Sequence, residues 1–209
     1  MEWFLSGSTN INDAHPSVHP WWKPWADDKG EVKNSYGKQF RHYGDSNFDQ
    51  IDYLLRSIAK DPYSRSNIIT TWNPKEMEEA PISNCHGSLI KFWAEMDGKL
   101  NLTMVQRSCD MIVGVPHNWI QYYALLLWIS ETLRLPTGRM EWIGLDCHIY
   151  SEHLDIAEKI KSSIYGNHFL SEGPKLVRVG NSTDFEADNF KLSGYALNPI
   201  VTDKPSLIV

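Results

Sequence analysis

Four short stretches of the chain carry side chains whose types and spacing could do chemistry. Cys85 stands between Asn84 and His86. A cysteine is a nucleophile only as its thiolate, which tertiary neighbours must favour; the plain alternative is a small buried apolar side chain. Gln106-Arg107-Ser108-Cys109-Asp110 sets a guanidinium beside a hydroxyl at the end of an apolar run. Such a pair grips a phosphate, the arginine forking onto two oxygens; otherwise Arg107 pairs with Asp110 in a structural ion pair. Asn118 opens a long apolar segment, where an amide must cap the helix or read the amide edge of a ligand. His148 and Tyr150 lie two apart in a strand-like run, so both share one face and reach one sugar hydroxyl, or serve structure alone. Metal binding is not expected. In the pairs Cys85-His86 and Cys147-His148 the two members face opposite ways on a strand, and His15 and His19 sit among prolines.

The elements that must position these residues are legible in outline. The first 45 residues are dense in Pro, Trp, His, Asp and Gly and read as ordered but irregular. Phe48, Ile51, Leu55 and Ile58 recur at helical spacing, and Asp61-Pro62 ends that helix. Residues 67–72 read as a short β-branched strand. Residues 88–95 and 100–107 flank Asp97-Gly98 as a hairpin, with Leu100, Leu102 and Met104 on one face and Val105 and Arg107 on the other. Residues 118–135 are apolar nearly all round, including Ile120 and Tyr123, with Pro116 suited to a helix start, so a buried helix is expected. Residues 142–150 read as a strand, and 151–162 as an amphipathic helix. Hairpins with segregated helices give an α+β fold, a single domain over residues 1–209 with one large mixed sheet, a buried central helix and flanking helices.

Composition narrows the function. A chain of 209 residues with 42% hydrophobic and 22% charged residues is long and apolar enough for a real core. Its 20 basic against 26 acidic side chains leave a net charge of −6, which argues against nucleic acid as a partner. The longest apolar run, residues 122–129, is far short of the ~20 residues needed to cross a bilayer, and no secretory leader is evident. Three widely spaced cysteines, Cys85, Cys109 and Cys147, do not read as a disulfide framework, and a reducing cytoplasmic setting is expected.

Joined together, the motifs are far more specific than apart. Residues 106–118, Gln106-Arg107-Ser108-Cys109-Asp110-Met111-Ile112-Val113-Gly114-Val115-Pro116-His117-Asn118, closely resemble the thymidylate synthase family, which includes the phage pyrimidine hydroxymethylases. The resemblance runs from Trp3-Phe4-Leu5-Ser6-Gly7 through Trp22-Lys23-Pro24-Trp25 and Tyr36-Gly37-Lys38-Gln39-Phe40-Arg41. It continues through Asp61-Pro62-Tyr63-Ser64-Arg65 and Cys85-His86 to Asp146-Cys147-His148-Ile149-Tyr150-Ser151, nearly the whole chain.

The resemblance implies chemistry at C5 of a pyrimidine nucleotide, dUMP with 5,10-methylenetetrahydrofolate. Cys85 matches the nucleophile that adds to C6, and Arg107 a phosphate ligand whose charge favours the thiolate. Arg65, Gln106, Ser108, Cys109, Asp110, His148 and Tyr150 match the nucleotide site, and Asn118 the reader of the uracil edge. Tyr36 matches a tyrosine beside the reacting base. Trp22, Trp25, Asp110 and Gly114 fall where the family binds folate. The family implies a homodimer built on its sheet, with Arg65 given to the partner's phosphate. Departures are visible. Ser66 replaces a second arginine, Asn34-Ser35 a Gly-Pro, and His117 an aromatic. Residues 30–37 are similar to phage deoxycytidylate hydroxymethylases, which nonetheless carry Asp where this chain has Asn118. The family's catalytic glutamate aligns one residue before Met1, and Glu2, a helix neighbour about 100° away, is not expected to replace it. Two fates of the transferred carbon stay open, methylation and hydroxymethylation. The apolar end Ser206-Leu207-Ile208-Val209 suits closure over the site and hence methylation. Rival readings are a nucleotide-binding relative without turnover and a structural dimer with an inert cysteine.

Overall fold

The computed structural model describes residues 1–166, 175–180 and 182–194. The helices are α1 (Glu2–Ser6), α2 (His19–Trp22), α3 (Tyr36–Arg41), α4 (Gln50–Lys60), α5 (Pro74–Met77), α6 (Gly114–Thr132) and α7 (Leu154–Gly166). The strands are β1 (Ile68–Ile69), β2 (His86–Ala94), β3 (Leu100–Asp110), β4 (Thr137–His148), β5 (Lys175–Arg178) and β6 (Phe190–Ser193). Strands β1 to β4 form one mixed sheet in sequence order: β1–β2 and β2–β3 are antiparallel, β3–β4 parallel. Strands β5 and β6 make a separate antiparallel pair. The α+β class expected from the sequence is the one observed.

Alternation in β3 drives the architecture. Leu100, Leu102 and Met104 are fully buried on the face that meets α6, while Thr103, Val105 and Arg107 lie on the other. Joining β3 to a parallel β4 needs a crossover, and α6 supplies it, packing on β3, β4 and β5. Phe40, Ile51, Leu54, Phe92, Tyr122 and Leu125 complete the core, each large side chain contributing about 1.5–3 kcal/mol by leaving water. The hairpin turn stands where Asp97-Gly98 put it, with Gly98 at φ 78°.

Several boundaries differ from the sequence reading, for identifiable reasons. Helix α4 starts after Phe48, because the Asp49 carboxylate accepts the N–H groups of Ile51 and Asp52 at 3.1 and 2.9 Å. Phe48 pairs instead with Tyr43, and Leu54 rather than Leu55 is fully enclosed. The strand expected over 67–72 contracts to two residues, since side chains take over the pairing: Gln50 holds the Thr70 N–H at 3.0 Å and Thr71 donates to the His86 carbonyl at 2.6 Å. Helix α6 begins four residues earlier than expected, as Pro116 costs nothing in a first turn with no N–H partners to lose. It ends at Thr132, where Arg134 turns to φ 56°. Its burial is continuous only over residues 124–130; Trp119 and Ile120 are exposed. Strand β4 starts at Thr137 and stops at His148, leaving Tyr150 outside it. No helix among the described residues is long and apolar enough to cross a membrane. The closing segment 206–209 lies outside the described residues.

Candidate active site

Cys85 ends the loop leading into β2 and is pinned by its backbone. Its N–H donates to the Tyr36 hydroxyl at 2.7 Å, and its carbonyl accepts from the N–H groups of Arg107 and Ser108 at 2.8 and 3.3 Å. The side chain is half-buried and its thiol faces the Ser83 carbonyl at 3.5 Å. Burial pushes the thiol above its ordinary pKa, and the Arg107 charge pulls it back by less. The Arg107 charge thus acts toward the thiolate, but desolvation outweighs it.

Arg107 makes no ion pair with Asp110. Its guanidinium donates to the carbonyls of Ser83 and Asn84 at 3.3 and 3.4 Å and lies 5.1 Å from the centre of the Trp72 ring. Asp110 is spent otherwise: its Oδ1 accepts the N–H groups of Ile112 and Val113, closing the turn into α6 beside Gly114. That turn places Asn118 under β3. A relay of amides then fixes it. The Trp142 indole N–H donates to Gln106 Oε1 at 3.0 Å, and Gln106 Nε2 donates to Asn118 Oδ1 and to the Ser108 carbonyl, both at 3.0 Å. Asn118 Nδ2 donates on to Gln121 Oε1 at 3.1 Å. An indole N–H only donates and a carbonyl only accepts, so the polarity of Gln106 is set at both ends, and with it that of Asn118.

His148 and Tyr150 do not share a strand, yet the chain brings them together edge to face at 5.1 Å. Burial raises the Tyr150 pKa, with Asp110 and Cys85 adding to it, which places the phenol within their electrostatic reach. Cys109 is turned away, its thiol on the Gln106 carbonyl at 3.4 Å and against Cys147. Arg65 stands exposed in a turn without a carboxylate partner among the described residues. Trp22 packs at 5.2 Å from Trp3, 5.9 Å from Tyr36 and 6.0 Å from Trp25, making an aromatic wall beside the site. The Glu2 carboxylate points away and accepts the Ala187 N–H at 3.0 Å.

Three contributors escaped sequence reasoning. His86 lies stacked on Tyr36 at 4.1 Å and bonded to the Tyr122 hydroxyl at 2.9 Å. Burial, with the Met1 amino group adding, pushes its pKa down to about 3, so the ring is neutral. Strand alternation opposite Cys85 was the available signal. Trp72 and Trp21, which meets His117 at 5.1 Å, left no signal beyond their type.

Comparison with known proteins identifies the family. A family model described as thymidylate synthase matches residues 1–207. The chain is 32% identical over 208 residues to thymidylate synthase of Corynebacterium aurimucosum, across 98% of this chain and 76% of that protein. The chain belongs to the thymidylate synthase family. Among solved structures it is similar to thermostable thymidylate synthase A from Bacillus subtilis, with a TM-score of 0.79 and 28% identity over 99% of this chain and 73% of that one. Tyr36 on α3 and Arg107 on β3 both bond to the Cys85 segment just before β2, and Asn118 on α6 is tied to β3 through Gln106. Among the described residues no cluster of three His, Cys, Asp or Glu is placed to hold a metal.

Proposed function

We propose that the protein transfers a one-carbon unit to C5 of dUMP, with 5,10-methylenetetrahydrofolate as co-substrate, through covalent attachment at Cys85. The observation that carries this reading is the backbone-pinned Cys85 beside an arginine with no carboxylate partner among the described residues and an amide of fixed polarity. Asn118 keeps one free N–H and one free lone pair, which match the O4 acceptor and N3–H donor of uracil and oppose those of cytosine. Arg107 and Ser108 suit the phosphate, and His148 and Tyr150 the 3′-hydroxyl. As the Cys85 sulfur bonds to C6, the thiol proton is lost, the C5–C6 π pair moves into C4–C5, the C4–O4 π pair moves onto O4, and O4 gains a proton, leaving C5 the nucleophilic carbon of an enol. Reduced folate supplies the one-carbon unit when bound. The Trp22–Trp25 wall fits its planar ring, and Asp110 keeps Oδ2 outside the turn that uses Oδ1.

We also propose a homodimer formed on the outer face of the sheet. Leu89, Ile143 and Leu145 are 36, 48 and 65% exposed there, an apolar patch that a second copy would cover. Arg65 would then be free to meet the partner's phosphate.

The test offers dUMP and dCMP separately with methylenetetrahydrofolate, reading the nucleotide by mass spectrometry and dihydrofolate by absorbance. A methylated dUMP with dihydrofolate is expected. A hydroxymethylated product without dihydrofolate would reassign the reaction, and binding without any product would leave a non-catalytic relative.

A further inference from the structure

We infer that Trp72 is a positioning residue of this site: its indole face holds the Arg107 guanidinium against the Cys85 segment as an uncompensated cation, kept available for phosphate. The inference rests on the nucleotide reading above. The Arg107 Cζ lies 5.1 Å from the Trp72 ring centre, while its two hydrogen bonds, to the Ser83 and Asn84 carbonyls, are long at 3.3 and 3.4 Å. Arg107 forms no salt bridge among the described residues. A carboxylate would hold the fork more firmly but would neutralise it. An aromatic face attracts a cation through its quadrupole and leaves the charge in place for an incoming anion.

The cradle is built to stay put. Trp72 donates its backbone N–H to Thr70 Oγ1 at 3.0 Å, and its carbonyl accepts from the Tyr43 hydroxyl at 3.2 Å. The neighbouring Thr71 carbonyl accepts from Asn84 Nδ2 at 2.9 Å. The residue bearing the indole and the segment bearing the two carbonyls are thereby tied together, so the guanidinium is gripped between linked supports. Among the described residues the ionisable groups in electrostatic contact with Cys85 are Arg107, Tyr36 and Tyr150, and of these Arg107 is the cation. Loosening it should therefore act on the thiol and on anion binding together.

The experiment uses the whole chain and its Trp72→Leu, Trp72→Phe and Arg107→Leu variants. Inorganic phosphate and dUMP are titrated by calorimetry, and iodoacetamide labelling of the Cys85 peptide is followed by mass spectrometry from pH 6 to 10. Trp72→Leu is expected to weaken both ligands about tenfold and to move the Cys85 labelling profile to higher pH, and Trp72→Phe to restore most of both. A purely structural role would not displace the labelling profile. Wild-type phosphate affinity and an unmoved profile in Trp72→Leu would overturn the inference, as would a Phe variant no better than Leu. If Arg107→Leu itself binds phosphate and dUMP as the wild type does, the nucleotide reading falls instead.

Discussion

The sheet with α6 and the first 45 residues meet at the same site but are held by different forces. In the sheet, Phe92, Leu100, Leu102 and Met104 are wholly enclosed and backbone pairing runs the length of β2, β3 and β4, broken by one irregularity in each pairing. The N-terminal region strings three short helices and three single turns together by side-chain bonds: Asn10 donates to Glu31 Oε1 at 2.8 Å and to the Lys29 carbonyl at 3.0 Å, and Thr9 donates to Glu31 Oε2 at 2.7 Å. One half is thus held by a continuous apolar core and carries Cys85, Arg107 and Asn118, while the other carries an aromatic wall whose placement depends on a few polar links.

The sharpest separation is chemical. Cys85→Ser should reduce product formation roughly a thousandfold or more while leaving dUMP binding and thermal stability near wild type; retained turnover would contradict attachment through sulfur. Next in size are cavities and overlaps in the sheet. Leu102→Ala should cost about 2–5 kcal/mol in denaturant unfolding, lowering global protection from hydrogen exchange. Gly87→Ala should be comparably severe: Gly87 sits at φ 72° in the bulge between His86 and Leu89, and an added Cβ would fall 2.3 Å from the Tyr122 oxygen.

A pH titration probes the seam between the halves, where His86 stacks on Tyr36. Because the folded His86 pKa is depressed to about 3, its neutral form carries full stability above the unfolded value of about 6.5. Below that, the unfolded state binds the extra proton, so stability should fall by up to about 1.4 kcal/mol per pH unit as pH drops toward 3. His86→Gln should flatten this slope. The smallest effect belongs to the irregular region: Asn10→Ala should cost about 1 kcal/mol, with exchange accelerated over residues 8–32 and unchanged in β3. Equal acceleration in both would erase the distinction drawn between them.

Legibility followed the same divide. Hydrophobic alternation revealed the β2–β3 hairpin and the core face of β3, since burial of one face leaves a period of two in the residues themselves. Cys85, Arg107 and Asn118 stood out as candidates because several motifs occurred together in order, the order that also marks the family. The limits of α6 and β4 were not, because they depend on the Asp110 turn and on Arg134 leaving helical geometry, neither of which has a periodic signature. The Trp142–Gln106–Asn118 relay was hidden too: three polar groups far apart in sequence meet only once β3, β4 and α6 are assembled. Trp72, read as the end of a strand, has its role through a cation contributed by a residue 35 positions later.

Tyr36 has one further consequence. Its oxygen receives the N–H groups of both Cys85 and His86, at 2.7 and 3.3 Å, and burial keeps its pKa far above the usual phenol range. With both lone pairs taken and its proton retained, the hydroxyl becomes a one-way connector, able to give a hydrogen bond but not to take another. Such a group sorts whatever approaches by polarity before size or shape is consulted, welcoming an oxygen and turning back an N–H.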